Sequence, residues 1–424
     1  MKQGVLLTLL LITVMSINAQ KCTTMERWEC IKTKHPNAEH RMQQLELKTQ
    51  KWIEKYKGKK KRSSIITIPV VVHVLYHTST ENITDAQIFS QIEALNWDFR
   101  LQNEDSLMPT HPFWIYSADC GIEFCLAQQD PEGNPTTGIT RTYTDSSYFS
   151  GYDYEKFDAT GGKDNWDPTK YLNFWVCNLD GSDGTLGYAS FPSELSTDPE
   201  LDGIVIDFRA FGYTGTAGTD GFEANDYGRT AVHEVGHWLN LFHIWGDDVC
   251  GDDLVADTPP QEEDNSGCPT FPAFPFNGCG SDANGEMYMN YMDYVDDTCM
   301  VMFTFGQADR MDAALLNARS AILSSQGCST PVGIATNNKD EFEIELFPNP
   351  SNGIFYLNVL NKMATDVHIV VFNIHGALVH EFYKPELSAI ENLRIDLSNK
   401  LQGVYLVSIK IGNNTVNKKG IIKN

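Results

Sequence analysis

Residues 233–243 read His-Glu-Val-Gly-His-Trp-Leu-Asn-Leu-Phe-His, and few local structures satisfy that spacing. Histidines four apart lie on one face of an α-helix, so His233 and His237 can aim two imidazoles at one metal ion. Glu234 stands beside them, placed to handle a proton on metal-bound water. His243 cannot reach the same face if the helix continues straight, so the chain must turn after about Leu239. Asn240 is one of the few non-glycine residues that tolerate the left-handed conformation such a turn needs. Three neutral imidazoles leave a fourth tetrahedral position open for water, which is the arrangement of a catalytic zinc. A structural zinc would need no Glu234 and would favour a cysteine as fourth ligand.

The remainder of the chain suggests several pieces. Its 424 residues correspond to roughly three domains at about 150 residues each. A composition of 42% hydrophobic and 21% charged residues excludes a wholly disordered chain. The net charge of −24 argues against nucleic acid or an anionic membrane as the main partner. That charge is uneven: residues 21–62 carry a net +8, residues 63–344 a net −35, and residues 345–424 are close to neutral. The first piece is suited to lie against the second.

Lys2, an apolar run at 5–17 and Ala19 describe a secretory signal peptide over residues 1–19. The run is shorter than the roughly 20 residues that span a bilayer, and no later stretch is long and apolar enough, so no transmembrane segment is expected. Ten cysteines in an exported chain favour disulfides. Residues 20–62 are helix-prone, with Met42, Leu45 and Trp52 at helical spacing, and end in a basic run at 57–62. They are expected to be a pro-segment with a protease-sensitive end.

Residues 63–328 form the next piece. Strands are predicted at 65–77, 171–179 and 203–208. A helix capped by Thr84 precedes the second strand, and further helices are predicted at about 226–240 and 304–327. An α+β (α/β) fold with a sheet and long helices follows. Between the last two helices, residues 245–285 are rich in Gly, Pro, Asp and Cys, and loops that long are functional or pinned by cross-links or metals. After a linker at 329–344, alternating strands in 345–424 indicate a small all-β sandwich.

The pattern His-Glu-x-x-His-x5-His resembles the metzincin zinc endopeptidases, whose consensus has Gly where this chain has Asn240. These enzymes have a methionine turn beneath the metal, and Asn-Tyr-Met-Asp-Tyr-Val-Asp-Asp at 290–297 supplies one, with Met292. Both segments together resemble the pappalysin family and its ulilysin- and mirolysin-like bacterial members, over about 65–327. The resemblance implies a twisted mixed sheet with an active-site helix and one catalytic zinc on His233, His237 and His243. It further implies Glu234 as general base and Tyr294 as oxyanion stabiliser. It pairs Cys250 with Cys279 and Cys268 with Cys299, where sequence alone allows three connectivities. It implies structural calcium at Asp253, the Val255 carbonyl and Thr258, within an acidic loop whose hard oxygens suit that ion. Asp297 would select Arg or Lys at P1′.

Cys22-Thr23-Thr24-Met25 resembles the propeptide segment whose thiolate fills the open zinc position in these proteases; a Cys22–Cys30 disulfide is the alternative. The segments at 346–359 and 401–410 resemble the C-terminal sorting domain of type IX secretion. The expectation is a secreted or surface-associated zinc endopeptidase made as a zymogen. Its partners are protein and peptide substrates, its own pro-segment as inhibitor and the type IX machinery. A catalytically inactive metzincin fold used as an adhesion module is the rival, and it would need neither Glu234 nor a removable pro-segment.

Overall fold

The computed structural model describes residues 21–56, 64–150, 153–179, 184–274, 279, 283–329, 342–361, 366–373, 377–385, 390–411 and 414–423. The expected signal peptide, the basic run at 57–62 and most of the linker lie outside the described residues. The chain divides into two compact units, Met1–Pro331 and Val332–Asn424.

The first unit opens with β1 (Lys21–Cys22), α1 (Thr24–Lys34) and α2 (Ala38–Tyr56). The helix-prone stretch is thus two helices. Pro36 separates them, because its ring disfavours helical geometry in the residue before it, and His35 is extended at φ −125°, ψ 93°. There follow β2 (Ile66–Tyr76), α3 (Asp85–Phe99), β3 (Ile122–Leu126), β4 (Ile139–Tyr143), β5 (Leu172–Cys177), β6 (Thr185–Ala189), β7 (Ile204–Asp207), α4 (Arg229–Trp238) and α5 (Phe305–Asn317). Thr84 caps α3, its hydroxyl accepting from the Gln87 N–H at 3.2 Å, as short polar residues at this position do.

Seven strands make one mixed sheet, ordered β1-β6-β7-β5-β2-β3, with β4 also on β2. Residues 66–70 of β2 pair with β3 and residues 72–76 with β4, both in parallel. β2 is buried on both faces between parallel neighbours, so its apolar residues run on without alternating. β6 is antiparallel to β7, and β1 adds to β6 in parallel as the outermost strand. The core joins this sheet to α3 and α4 through Val72, Phe174, Ile206, Leu95, Val232 and Trp238, all fully buried. Each such side chain contributes about 1.5–3 kcal/mol relative to exposure.

α5 stops at Asn317, short of the expected end at Gly327. Its start carries a capping box between Thr304 and Gln307. Beyond its end the buried Arg319 turns inward to both oxygens of Asp202, at 2.8 and 2.9 Å, and to the Trp238 carbonyl at 2.8 Å. A buried guanidinium needs those partners, and reaching them turns the chain into a short 3-10 segment, Ser320–Ser324. Cys328 then closes a disulfide on Cys125 in β3, across 203 residues.

The second unit contains β8 (Phe342–Phe347), β9 (Ile354–Asn361), β10 (Val367–Asn373), β11 (Leu378–Lys384), β12 (Ile390–Asp396), β13 (Gly403–Ile411) and β14 (Asn414–Ile422). They form two antiparallel sheets, β11-β10-β13-β14 and β12-β9-β8. Alternate residues from both sheets, among them Phe355, Leu357, Ile369, Ile395 and Val407, share one core, which is the pattern of a sandwich.

Candidate active site

Every residue of α4 is buried, which fixes the two histidines it carries. The helix ends at Trp238, and Asn240 takes φ +74°, turning the chain so that His243 comes back toward the helix. The His237 Nε2 then lies 3.1 Å from the Nε2 of His233 and 3.1 Å from that of His243. Each Nδ1 faces an acceptor: the Tyr291 carbonyl at 2.7 Å for His233, the Leu241 carbonyl at 2.8 Å for His237 and Asp247 at 2.5 Å for His243. Those bonds place the ring proton on Nδ1 and leave the lone pair on Nε2. Burial lowers the pKa of His233 to about 3 and that of His237 well below its ordinary value, so both rings are neutral. Three lone pairs converging without a proton between them repel one another, and a cation relieves that repulsion. The donor set fits zinc.

Met292 lies beneath the histidines. A Cβ on Gly236 would come within 2.4 Å of its sulfur, so a larger residue there would displace the Met292 side chain. The same turn orients the ligands through its backbone: the Tyr291 carbonyl holds His233, and the Met292 carbonyl accepts from the Ile244 N–H at 3.1 Å. Asp293 ties the turn to the cysteine-rich loop, accepting from Gln261 Nε2 at 2.7 Å and from the Asn265 N–H at 2.8 Å.

The pro-segment covers this centre. Cys22 and Cys30 are separate thiols, and the Cys22 sulfur lies with the three histidines, the four ligand atoms all within 4.8 Å of one another. Burial, and then the neighbouring Glu234, holds the Cys22 pKa well above its ordinary value, so a thiolate forms there only against a cation. Two residues on, Thr24 donates its hydroxyl proton to Glu234 Oε2 at 2.9 Å and accepts from the Ala189 N–H at 2.8 Å. Glu234 is fully buried, and burial pushes its pKa up to about 8; its Oε1 has no hydrogen-bond partner. The Tyr294 hydroxyl donates to the Cys22 carbonyl at 3.0 Å and stands 3.1 Å from His243 Nε2. Cys22→Ala should raise the activity of the uncleaved zymogen several-fold while leaving the fold intact. A peptidase assay on the intact chain checks this, and unchanged latency would assign inhibition to the rest of the pro-segment.

Asp297 is fully buried and lines the same cavity as Cys22, Leu186, Glu234 and Tyr294. Its Oδ2 accepts from the backbone N–H groups of Tyr227 and Arg229, both at 3.0 Å, whereas Oδ1 has no hydrogen-bond partner. Away from the cavity, Asp253, Val255 and Thr258 come together: the Thr258 hydroxyl lies 2.9 Å from both Asp253 oxygens and from the Val255 carbonyl. Disulfides join Cys250 to Cys279 and Cys268 to Cys299.

Sequence reasoning missed Thr24 and Asp247. Asp247 lies in the acidic stretch that follows the third histidine and holds His243 Nδ1. A carboxylate four residues after a ligand histidine could have signalled it. Thr24 stands within the Cys22–Met25 segment, but nothing local marks its bond to Glu234.

A mixed sheet with an antiparallel edge, a two-histidine helix ending in a left-handed turn and a methionine turn below the ligands define a metzincin metallopeptidase. Residues 156–316 match the peptidase M43 family, described as pregnancy-associated plasma protein-A, and residues 345–423 match the secretion system C-terminal sorting domain. An extracellular metalloprotease of Arthroderma otae is 33% identical over 258 residues, 59% of this chain and 77% of that protein. Mature mirolysin of Tannerella forsythia, solved with a cleaved peptide, is 46% identical with a TM-score of 0.60, covering 64% of this chain and 100% of that one. Promirolysin of the same organism is 44% identical with a TM-score of 0.63, covering 72% and 96%. The chain belongs to the peptidase M43 family. It is a secreted or surface-associated metalloendopeptidase with a type IX sorting domain, and its family carries a catalytic zinc. No helix among the described residues is long and apolar enough to cross a membrane.

Proposed function

We propose that this enzyme cleaves extracellular proteins with Glu234 as general base and favours arginine or lysine at P1′. His233, His237 and His243 would hold the zinc, which when bound polarises the scissile carbonyl and acidifies water. Glu234 takes the proton of the attacking water and returns it to the leaving amine. Tyr294, released from the Cys22 carbonyl when the pro-segment leaves, donates its hydroxyl to the developing oxyanion. The observation that carries this reading is the placement of three converging imidazole lone pairs beside a buried carboxylate.

The P1′ preference is supported by Asp297. Two N–H groups hold one of its oxygens and leave the other, unpartnered and buried, for a charge-assisted bond with a cationic side chain. Calcium at Asp253, Val255 and Thr258 is supported by the oxygen geometry, since one hydroxyl proton cannot serve three acceptors at 2.9 Å. The signal peptide would be 1–19, the pro-segment 20–62, the catalytic domain 63–328, the linker 329–344 and the sorting domain 345–424.

Incubating the purified mature enzyme with a peptide library, with and without chelator, tests the function. Cleavage that chelation abolishes and zinc restores is expected; no cleavage of any peptide by the zinc-loaded enzyme would favour the adhesion module. Deleting residues 345–424 should abolish export yet leave peptidase activity in the cell extract once the pro-segment is removed, because His233, His237 and His243 all lie in the first unit. Secretion assays of the truncated chain check this.

A further inference from the structure

The pro-segment fills a second acidic pocket, at the far end of β6 from Asp297. Arg27 turns out of α1 into the catalytic unit and is 1% exposed. Its Nε donates to Asp153 Oδ1 at 3.1 Å and its Nη1 to Glu194 Oε2 at 2.7 Å. Both carboxylates are buried, and Asp153 Oδ2 has no hydrogen-bond partner. The other Glu194 oxygen accepts from the Phe191 N–H at 2.7 Å. Lys156, itself buried, reaches Asp153 Oδ1 at 2.8 Å. With Arg27 in place, two cations face Asp153 and Glu194. Once the pro-segment leaves, Lys156 alone is left to face Asp153 and Glu194, with the carboxylate of Glu155 beside them, so the vacated pocket keeps an excess of negative charge. The pocket therefore favours another cation.

Its position relates it to the cleft. Lys21 lies opposite Thr185 and Cys22 opposite Gly187, and Thr24 bonds to Ala189, so the pro-segment runs along β6 from its start to its end. Leu186, near the start, lines the cavity with Asp297. Phe191, just past the end, packs on His237 with ring centroids 5.7 Å apart and bonds to Glu194. The three histidines lie between two acidic pockets.

We propose that the Asp153–Glu194 pocket is a second substrate subsite, which in the mature enzyme receives an arginine side chain from the N-terminal side of the scissile bond. This rests on the reading that Asp297 takes the residue just after that bond. An extended peptide adding to the edge of β6, with its P1′ side chain at Asp297, directs its preceding residues toward Glu194. Two carboxylates from different segments accept two guanidinium N–H groups at once, a geometry that favours arginine over lysine.

Mature enzyme activated from the full chain tests this with peptides that hold arginine at P1′. Arginine and citrulline, which has the same shape but no charge, are exchanged at each of the preceding positions. At one of them kcat/KM should fall by about 10–100-fold with citrulline, the range for hydrogen bonds to a charged partner. Glu194→Gln, which keeps an acceptor for the Phe191 N–H, should level that difference and leave P1′ discrimination unchanged. Equal rates for arginine and citrulline at every preceding position, with P1′ discrimination intact, overturn the subsite and leave the proposed function standing. Loss of P1′ discrimination in the wild-type enzyme overturns both. Independently of any variant, a synthetic peptide of residues 21–35 should bind the mature enzyme about 10–100-fold more tightly with arginine than with citrulline at position 27, and equal binding overturns the pocket's preference for a cation.

Discussion

Replacing Glu234 by glutamine should lower kcat/KM by about 10²–10⁴-fold, the contribution of a positioned general base, with zinc content unchanged. Glutamine matches the carboxylate in shape and still offers an oxygen to Thr24, so the zymogen contacts survive. It cannot accept the proton of the attacking water. The three imidazoles that converge on the metal position are untouched, which separates a loss of chemistry from a loss of metal. Metal analysis beside single-turnover peptide cleavage decides it. A fully zinc-loaded variant that cleaves within a few-fold of wild type would remove Glu234 from the mechanism.

The second large effect is expected at Asp297. In Asp297→Asn the amide oxygen can take over the bonds from the Tyr227 and Arg229 N–H groups, and the amide NH₂ then faces the cavity. A donor replaces an anionic acceptor where a guanidinium would bind. Selectivity for arginine over leucine at P1′ should fall by about 10–100-fold, whereas cleavage of substrates with apolar P1′ residues should change little. Cleavage-site profiling of both enzymes measures this. A wild-type profile dominated by leucine or phenylalanine would show that the free oxygen of Asp297 has another use.

Much of the centre was legible in the sequence because its constraints are local. Two histidines four apart need only a helix, and Asn240 announces a left-handed turn through its own conformational tolerance. The continuous apolar run of β2 and the cap at Thr84 are equally short-range signals. What escaped depends on distant partners. β1 is two residues long and is a strand only because β6 offers it an edge. β6 itself, Thr-Leu-Gly-Tyr-Ala, contains a glycine that propensity counts against a strand; a Cβ at Gly187 would meet Ile206 at 2.7 Å. The net +8 of residues 21–62 suggested docking against an acidic domain, and Arg27 with Asp153 and Glu194 follows that sense. At the other helix the signs reverse, with Glu46 of α2 paired to the buried Arg310 at 2.9 Å. Net charge gives a direction of attraction and no register.

The bridge between Cys125 and Cys328 has a mechanical consequence. The sorting domain is tethered through the residue that follows Cys328, so tension on the tail during passage enters the catalytic unit at that sulfur. The disulfide carries the load directly into β3, whose parallel ladder with β2 is loaded across several hydrogen bonds. The point at which the chain leaves the catalytic unit is therefore fastened to the sheet through β3 as well as through the backbone that follows α5.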